Sequence, residues 1–198
     1  MKIAGLRDSD LSEWDDIAYL TAGTPRQQQA YQALRRLKIF EILAGYKPTL
    51  VGTIPLDIDL PGSDLDIICQ VAGLDPFAQL LRAQFSHRPG FSLRHRRHNQ
   101  LPVVVCNFVA SGFPIEVFGQ PRPVKAQNAY RHLVAEARLL ALAGPEAKAA
   151  IRHLKTKGLK TEPAFGRYFA LPGDPYETLL ALAGAPDSTL QTVIEQAS

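Results

Sequence analysis

Between Ser63 and Val71 the chain reads SDLDIICQV, and no other stretch limits the fold so strongly. In a strand successive side chains leave opposite faces, so Asp64 and Asp66 share one face and Leu65 and Ile67 the other. At a rise of about 3.3 Å per residue, the two aspartate Cα atoms are about 6.6 Å apart. The apolar set suits a core, and the β-branched residues suit a strand. Two carboxylates on the other face converge on a hard cation of the magnesium type, which prefers oxygen ligands. Acidic pairs on solvated strand faces are common, so the surroundings of the pair decide its meaning.

Upstream, TLVGT is a second short strand that ends in Gly52-Thr53. Glycine there lets backbone N–H groups approach a phosphate closely, and Thr53 adds a hydroxyl. Downstream, Ile115-Glu116-Val117 sets a carboxylate between apolar residues on a later strand. If that strand neighbours the Asp64–Asp66 strand, three carboxylates meet at one site. The alternative is an edge strand with one charge facing water, which Pro114 allows.

The rest of the chain frames this core. Thr24-Pro25 starts a helix that the apolar spacing of Tyr31, Leu34, Leu37 and Ile42 carries to about Ala44, before Gly45. Asp75-Pro76 opens a helix to about Ser86. FSLRHRRHN, VVVCNFVA and FPIEVFG are three more strands, with a hairpin turn at Ala110-Ser111-Gly112 between the last two. From Asn128 the helical period returns through Tyr130, Leu133, Val134, Ala137 and Leu140. Gly144-Pro145 separates two helices, and Asp174-Pro175-Tyr176-Glu177 starts another. One helix among strands joined by short turns predicts an α+β fold with a mixed sheet. The expected organisation is one compact unit over 1–198, with N-terminal helices over 1–45, a sheet core over 46–120 and a helical region over 121–198.

Composition narrows the setting. The 198 residues are 46% hydrophobic and 21% charged, ordinary for a globular chain, so a sizeable core is available and disorder is not the default. The net charge of +3 permits a polyanionic ligand without requiring one. Cys69 and Cys106 lie in apolar strands without a C-x-x-C pair, so they are reduced core residues and not a zinc site or disulfide framework. The N-terminus turns acidic before any apolar run, against a signal peptide, and no apolar run spans a membrane. A cytoplasmic location is expected.

Taken together, Gly52-Thr53, the Asp64–Asp66 strand and the Glu116 strand resemble the polymerase-beta-like nucleotidyltransferase superfamily. Its pattern is a strand-ending G-[GS], an h-D-h-D-h strand and a third h-[DE]-h strand. The spacing from Gly52 to Ser63-Asp64-Leu65-Asp66 is closest to the minimal nucleotidyltransferases. The longer stretches GTIPLDIDLPGSDLDIIC, FGQPRPVKAQNAYRH and LKTKGLKTEPAFG resemble an uncharacterised bacterial domain family within that superfamily. The resemblance implies a nucleotidyltransferase-type sheet, with Gly52, Thr53 and Ser63 against the nucleotide. It implies that Asp64 and Asp66 bind magnesium on the triphosphate, and that Glu116 binds a second ion and helps activate an acceptor hydroxyl. The implied reaction moves a nucleoside monophosphate from a nucleoside triphosphate to a small molecule, RNA or protein, with two Mg2+ ions. Thr53 stands where Ser or Gly is usual, and Asp57 and Asp59 follow in place of an arginine. Two acids beside a triphosphate are unfavourable unless they point away or bind metal.

Positive charge must then come from elsewhere. Arg94-His95-Arg96-Arg97-His98 is the densest basic cluster and would divide between two strand faces. Such a run suits a solvated hairpin; the alternative gives Arg94 and Arg96 to phosphate or acceptor contacts, and Arg94, Arg96 and Arg97 to a nucleic acid. Lys155, Lys157 and Lys160 surround Gly158 at a helix end, where they also complement the helix dipole. Arg131 and His132 lie early in a helix after the sheet, where they would line the cleft, and Arg131, Lys155, Lys157 and Lys160 are further candidates for phosphate or acceptor contacts. His132 and His153 lack ligand spacing. The alternative functional class is a non-catalytic nucleotide- or RNA-binding module or a regulatory partner on the same fold.

Overall fold

The computed structural model describes Trp14 and residues 16–197. The expectation of helices over 1–45 falls outside the described residues for 1–13. These described residues form two compact units, one comprising Trp14, residues 16–55 and Gly62–Gln127, the other Leu56–Pro61 and residues 128–197.

The first unit is built on a five-stranded sheet. Its strands are β1 (Thr49–Val51), β2 (Leu65–Gln70), β3 (Ser92–His98), β4 (Leu101–Ala110) and β5 (Phe113–Gln120), in the order β1-β2-β5-β4-β3. Only β2 and β5 run parallel, and the other neighbours are antiparallel. The sheet is therefore mixed, as the strand-rich middle of the chain predicts. The β4–β5 hairpin turns through Ser111 and Gly112, both at positive φ, which matches the strand twist in a two-residue loop. Glu116 is not on an edge strand. β5 lies between β2 and β4, and Pro114 fits because its ladder to β2 begins only at Ile115. The missing N–H of proline falls where no β2 partner exists.

One sheet face is apolar. Leu50, Leu65, Ile67, Cys69, Ile115, Val117, Cys106 and Val104 bury it with α1 (Pro25–Leu37) and α3 (Leu74–Phe85). Gly119 belongs to this face, where a Cβ would stand 2.5 Å from the Phe77 ring of α3. The two cysteines are buried thiols pushed up to about 12, as core residues should be. α1 starts at the predicted cap: the Thr24 hydroxyl accepts from the Gln27 N–H while the Gln27 side chain accepts from the Thr24 N–H.

The single helix expected to reach Ala44 is broken. α1 ends at Leu37, Lys38 is left-handed at φ 52°, and α2 covers Ile39–Ile42. Packing explains the break. Leu37, Ile39 and Leu43 are all buried. At about 100° per residue, Leu37 and Ile39 would leave an unbroken helix on nearly opposite sides.

The second unit comprises α4 (Asn128–Ala143), α5 (Pro145–Thr156), α6 (Thr161–Tyr168), α7 (Pro175–Leu182) and α8 (Asp187–Ala197), with the Leu56–Pro61 segment. Gly144 (φ 84°) separates α4 from α5, and the Asp174 carboxylate caps α7 by accepting from the Tyr176 N–H. At the far end of α7, Arg138 donates to the carbonyls of Leu182, Ala183 and Ala185 and pairs with Asp187 at 2.7 Å. A cation on the last free carbonyls of a helix stabilises its end. No described helix is long and apolar enough to cross a membrane.

Candidate active site

The face of the sheet opposite the apolar core carries the acidic residues. Asp66 on β2 is the direct partner of Glu116 on β5, and Val51 on β1 is its partner on the other side. Glu116 is in turn opposite Asn107 on β4, and Asn107 opposite Ser92 on β3. Directly paired residues share a face, so Asp66, Glu116, Asn107 and Ser92 form one polar row across four strands. Asp64 precedes β2 by one residue and is exposed, while Asp66 and Glu116 are half-buried.

Packing the acids together leaves an electrostatic mark. The Asp66 carboxyl is pushed up to about 7, first by burial and then by the charges of Asp64 and Glu116. Glu116 is also raised, by burial and by Asp64, with the Arg96 charge opposing. Each effect disfavours the charged form, so the row holds negative charge at a cost that a bound cation would offset. Among the described residues no three His, Cys, Asp or Glu side chains are grouped as a metal cage. Magnesium seldom has such a cage. It keeps waters and takes one or two carboxylates plus substrate phosphates. The oxygen donors and their crowding fit magnesium on those terms.

Gly52 is tied to this row by shape. Its φ is +83°, and a Cβ there would stand 2.5 Å from Asp66 Oδ2. The turn it opens is fixed by the buried Gln27 side chain of α1, which donates to the Ile54 and Pro55 carbonyls at 2.9 and 3.0 Å. Thr53 and Ser63 are half-buried at the two ends of the connection between β1 and β2.

Within that connection, residues 56–61 belong to the helical unit. Asp57 there accepts from Arg152 of α5 at 2.6 Å and lies 3.6 Å from the Lys148 ammonium. Arg152 also donates to the Asp57 carbonyl oxygen, and Lys155 donates to the Ile58 carbonyl at 2.8 Å. The charge of Asp57 is thus matched by two cations of α5. Asp59, with Glu136 and Glu162, acts on the half-buried Lys155, whose pKa burial lowers and these acids raise.

The basic residues divide between the units. Arg94 and Arg96 are exposed on β3, opposite Val105 and Val103, on the face of Asp66 and Glu116. Arg131, Lys155, Lys157 and Lys160 are in the helical unit. Arg131 donates to the Leu180 carbonyl at 2.6 Å. Lys157 and Lys160 are exposed at the end of α5 and the start of α6. His132 sits between the Tyr176 carbonyl (3.1 Å) and the Glu162 carboxylate (3.4 Å). Sequence reasoning missed Asn107 and Ser92, whose place depends on strand order. It also missed Gln27, whose only signal is the T-x-x-Q spacing of a capping box.

A family model described as "Domain of unknown function (DUF4269)" matches residues 32–182. No curated protein matches the sequence. Among solved structures, the Cid1 poly(U) polymerase with MgGTP bound is similar over 77% of this chain and 47% of its own, at 11% identity and a TM-score of 0.49. A cytoplasmic RNA terminal U-transferase is similar over 85% and 51%, at 12% identity and a TM-score of 0.47. The polymerase core of TRAMP, an RNA surveillance complex, is similar over 88% and 60%, at 16% identity and a TM-score of 0.41. The chain spans about half the length of the first of these structures.

Proposed function

We propose that this chain, which belongs to the DUF4269 family, is a magnesium-dependent nucleotidyltransferase that moves a nucleoside monophosphate from a triphosphate to an acceptor hydroxyl. The observation that carries the reading is the direct pairing of Asp66 with Glu116 on adjacent parallel strands, with Asp64 at the entrance to β2. The raised carboxyls of Asp66 and Glu116 support it, because they mark a site that gains from a bound cation.

Asp64 and Asp66 would hold magnesium on the triphosphate, and Glu116 would complete the ligand set from the neighbouring strand. When bound, magnesium supplies charge neutralisation on the phosphates and on the departing oxygen. The chain's own residues do the remaining work. Gly52 leaves room for the Asp66 carboxylate and offers backbone N–H groups to a phosphate, while Thr53 and Ser63 add hydroxyls. Glu116 orients the acceptor hydroxyl and takes up its proton directly or through water. The acceptor oxygen bonds to the α-phosphorus as the bond from that phosphorus to the bridging oxygen breaks, and pyrophosphate leaves with the electron pair.

Incubation with each labelled nucleoside triphosphate and magnesium, read by pyrophosphate release and by label on an acceptor, tests the reading. Asp66→Asn should abolish both signals. One observation favours a second reading, a nucleotide-binding module without transfer: Asp57 and Asp59 follow Gly52-Thr53 where the resemblance leads one to expect an arginine. Magnesium-dependent nucleotide binding with no pyrophosphate from any nucleotide, across varied acceptors, would select it.

A further inference from the structure

The face that carries Asp66 and Glu116 continues across β4 onto the edge strand β3 and changes sign there. Arg94 is opposite Val105, and Val105 opposite Phe118, so Arg94 lies in the row next to that of Glu116. Arg96 and His98 follow at alternate positions, and all three are exposed. The Arg96 charge reaches Glu116. The His98 ring meets Phe118 edge-on with centroids 5.7 Å apart. His95 and Arg97 leave the opposite face, and Arg97 donates to the Gln100 carbonyl at 2.7 Å in the turn to β4. The pleat therefore sorts a run of five basic residues into a row on the acidic side and a pair away from it.

We propose that the Arg94–Arg96–His98 row is the track for a single-stranded nucleic acid whose terminal hydroxyl is the acceptor, a proposal that rests on the nucleotidyltransferase reading above. Residues two apart on a strand project about 6.7 Å from one another. Neighbouring phosphates of an extended strand are separated by a similar step, so one phosphate can meet each of the two arginines in turn. β3 is two strands from β5, about 10 Å at the usual spacing of about 4.8 Å. A chain with its terminal hydroxyl at Glu116 would therefore bring its next phosphates onto β3. The paired rings of His98 and Phe118 give a base an aromatic surface beside the cations, the combination that single-strand binders use. A single straight row follows one backbone, whereas a duplex presents two.

Fluorescence anisotropy with a labelled 12-nucleotide single-stranded RNA, without nucleotide or metal, tests the track. The Arg94→Ala/Arg96→Ala chain, checked for native circular dichroism, should bind at least tenfold more weakly in 50 mM salt. Its slope of log affinity against log salt should flatten by about 1.4, since each single-strand phosphate contact contributes about 0.7. Arg82→Ala, an exposed arginine of α3, should leave both unchanged, and a blunt RNA duplex should bind more weakly than the single strand. Unchanged affinity and slope in the double variant would overturn the proposal and leave the row as a guard of the sheet edge. Preference for the duplex would overturn it as well. The two readings fail separately. Asp66→Asn should lose transfer yet keep strand binding, and pyrophosphate release with a small hydroxyl compound but no strand binding would sink the track alone.

Discussion

Asp66 lies where three influences meet: burial, the Asp64 charge and the Glu116 charge all raise its pKa, to about 7 from an ordinary value of 3.8. The consequence for stability has a definite sign. Between those two pH values the folded chain holds a proton that the unfolded chain has released, so stability falls as pH rises through that window. Asp66→Asn removes this loss without changing the size of the side chain. The metal-free variant should therefore melt several degrees above the wild type at pH 8, with the gap closing as pH falls towards 4. The scale is about 1.4 kcal/mol for each pH unit between the two values. A variant that melts lower at pH 8 in the absence of divalent ions would show that the carboxylates are not crowded. Gly52 is the second residue with a sharp expectation. Alanine there adds a Cβ 2.5 Å from Asp66 Oδ2 at a φ of +83°. Left-handed backbone alone costs an alanine about 1–2 kcal/mol. Gly52→Ala should lower the melting temperature and weaken magnesium-dependent nucleotide binding together, which calorimetry on the same sample can check.

The elements show why some of this was legible in the sequence. Local rules found the start of α1, the Ser111-Gly112 hairpin and the alternation of Asp66 against Ile67, because each depends on a few adjacent residues. The placing of β5 beside β2 depends on pairing across some fifty residues, and no local signal specifies it. Asn107 and Ser92 became visible as parts of the site only once β4 and β3 were in register. The break at Lys38 was hidden for the same reason, since the burial of Leu37 and Ile39 on one core is a tertiary demand. The departure at Asp57 also needed tertiary structure, because its partners Arg152 and Lys148 follow about ninety residues later. In the proposed reaction Glu116 has a role distinct from that of the β2 pair: a carboxylate on the neighbouring strand would serve the acceptor, whereas Asp64 and Asp66 would serve the triphosphate. Glu116→Gln should hold magnesium and nucleotide with little change in Kd and lose transfer by about 10²–10⁴-fold, the usual range for a positioned base. Parallel loss of nucleotide affinity would place Glu116 with the binding pair instead.

For the whole molecule, charge sets the terms of binding. A net charge of +3 over 198 residues is too small to draw in a polyanion by itself. A free triphosphate brings several negative charges towards Asp64, Asp66 and Glu116, and should bind poorly. Magnesium alone lacks the phosphate oxygens that complete its shell and should also bind weakly. The two together neutralise one another and relieve the crowding that raises Asp66. Stabilisation should therefore be synergistic: little change in melting temperature with either alone, and a clear rise with both. Ligand at a hundredfold excess over Kd stabilises the folded state by about 2.7 kcal/mol. For a chain of this length that corresponds to a rise of roughly 5–10 °C. Asp66→Asn should start from a higher melting temperature in metal-free buffer at pH 8, yet gain nothing from the pair of ligands. On the proposed reading, the carboxylate that costs stability in metal-free buffer is the one that would link folding to the metal-bound nucleotide. A full rise with nucleotide in the presence of a chelator would break that link and show a site that takes phosphate without magnesium.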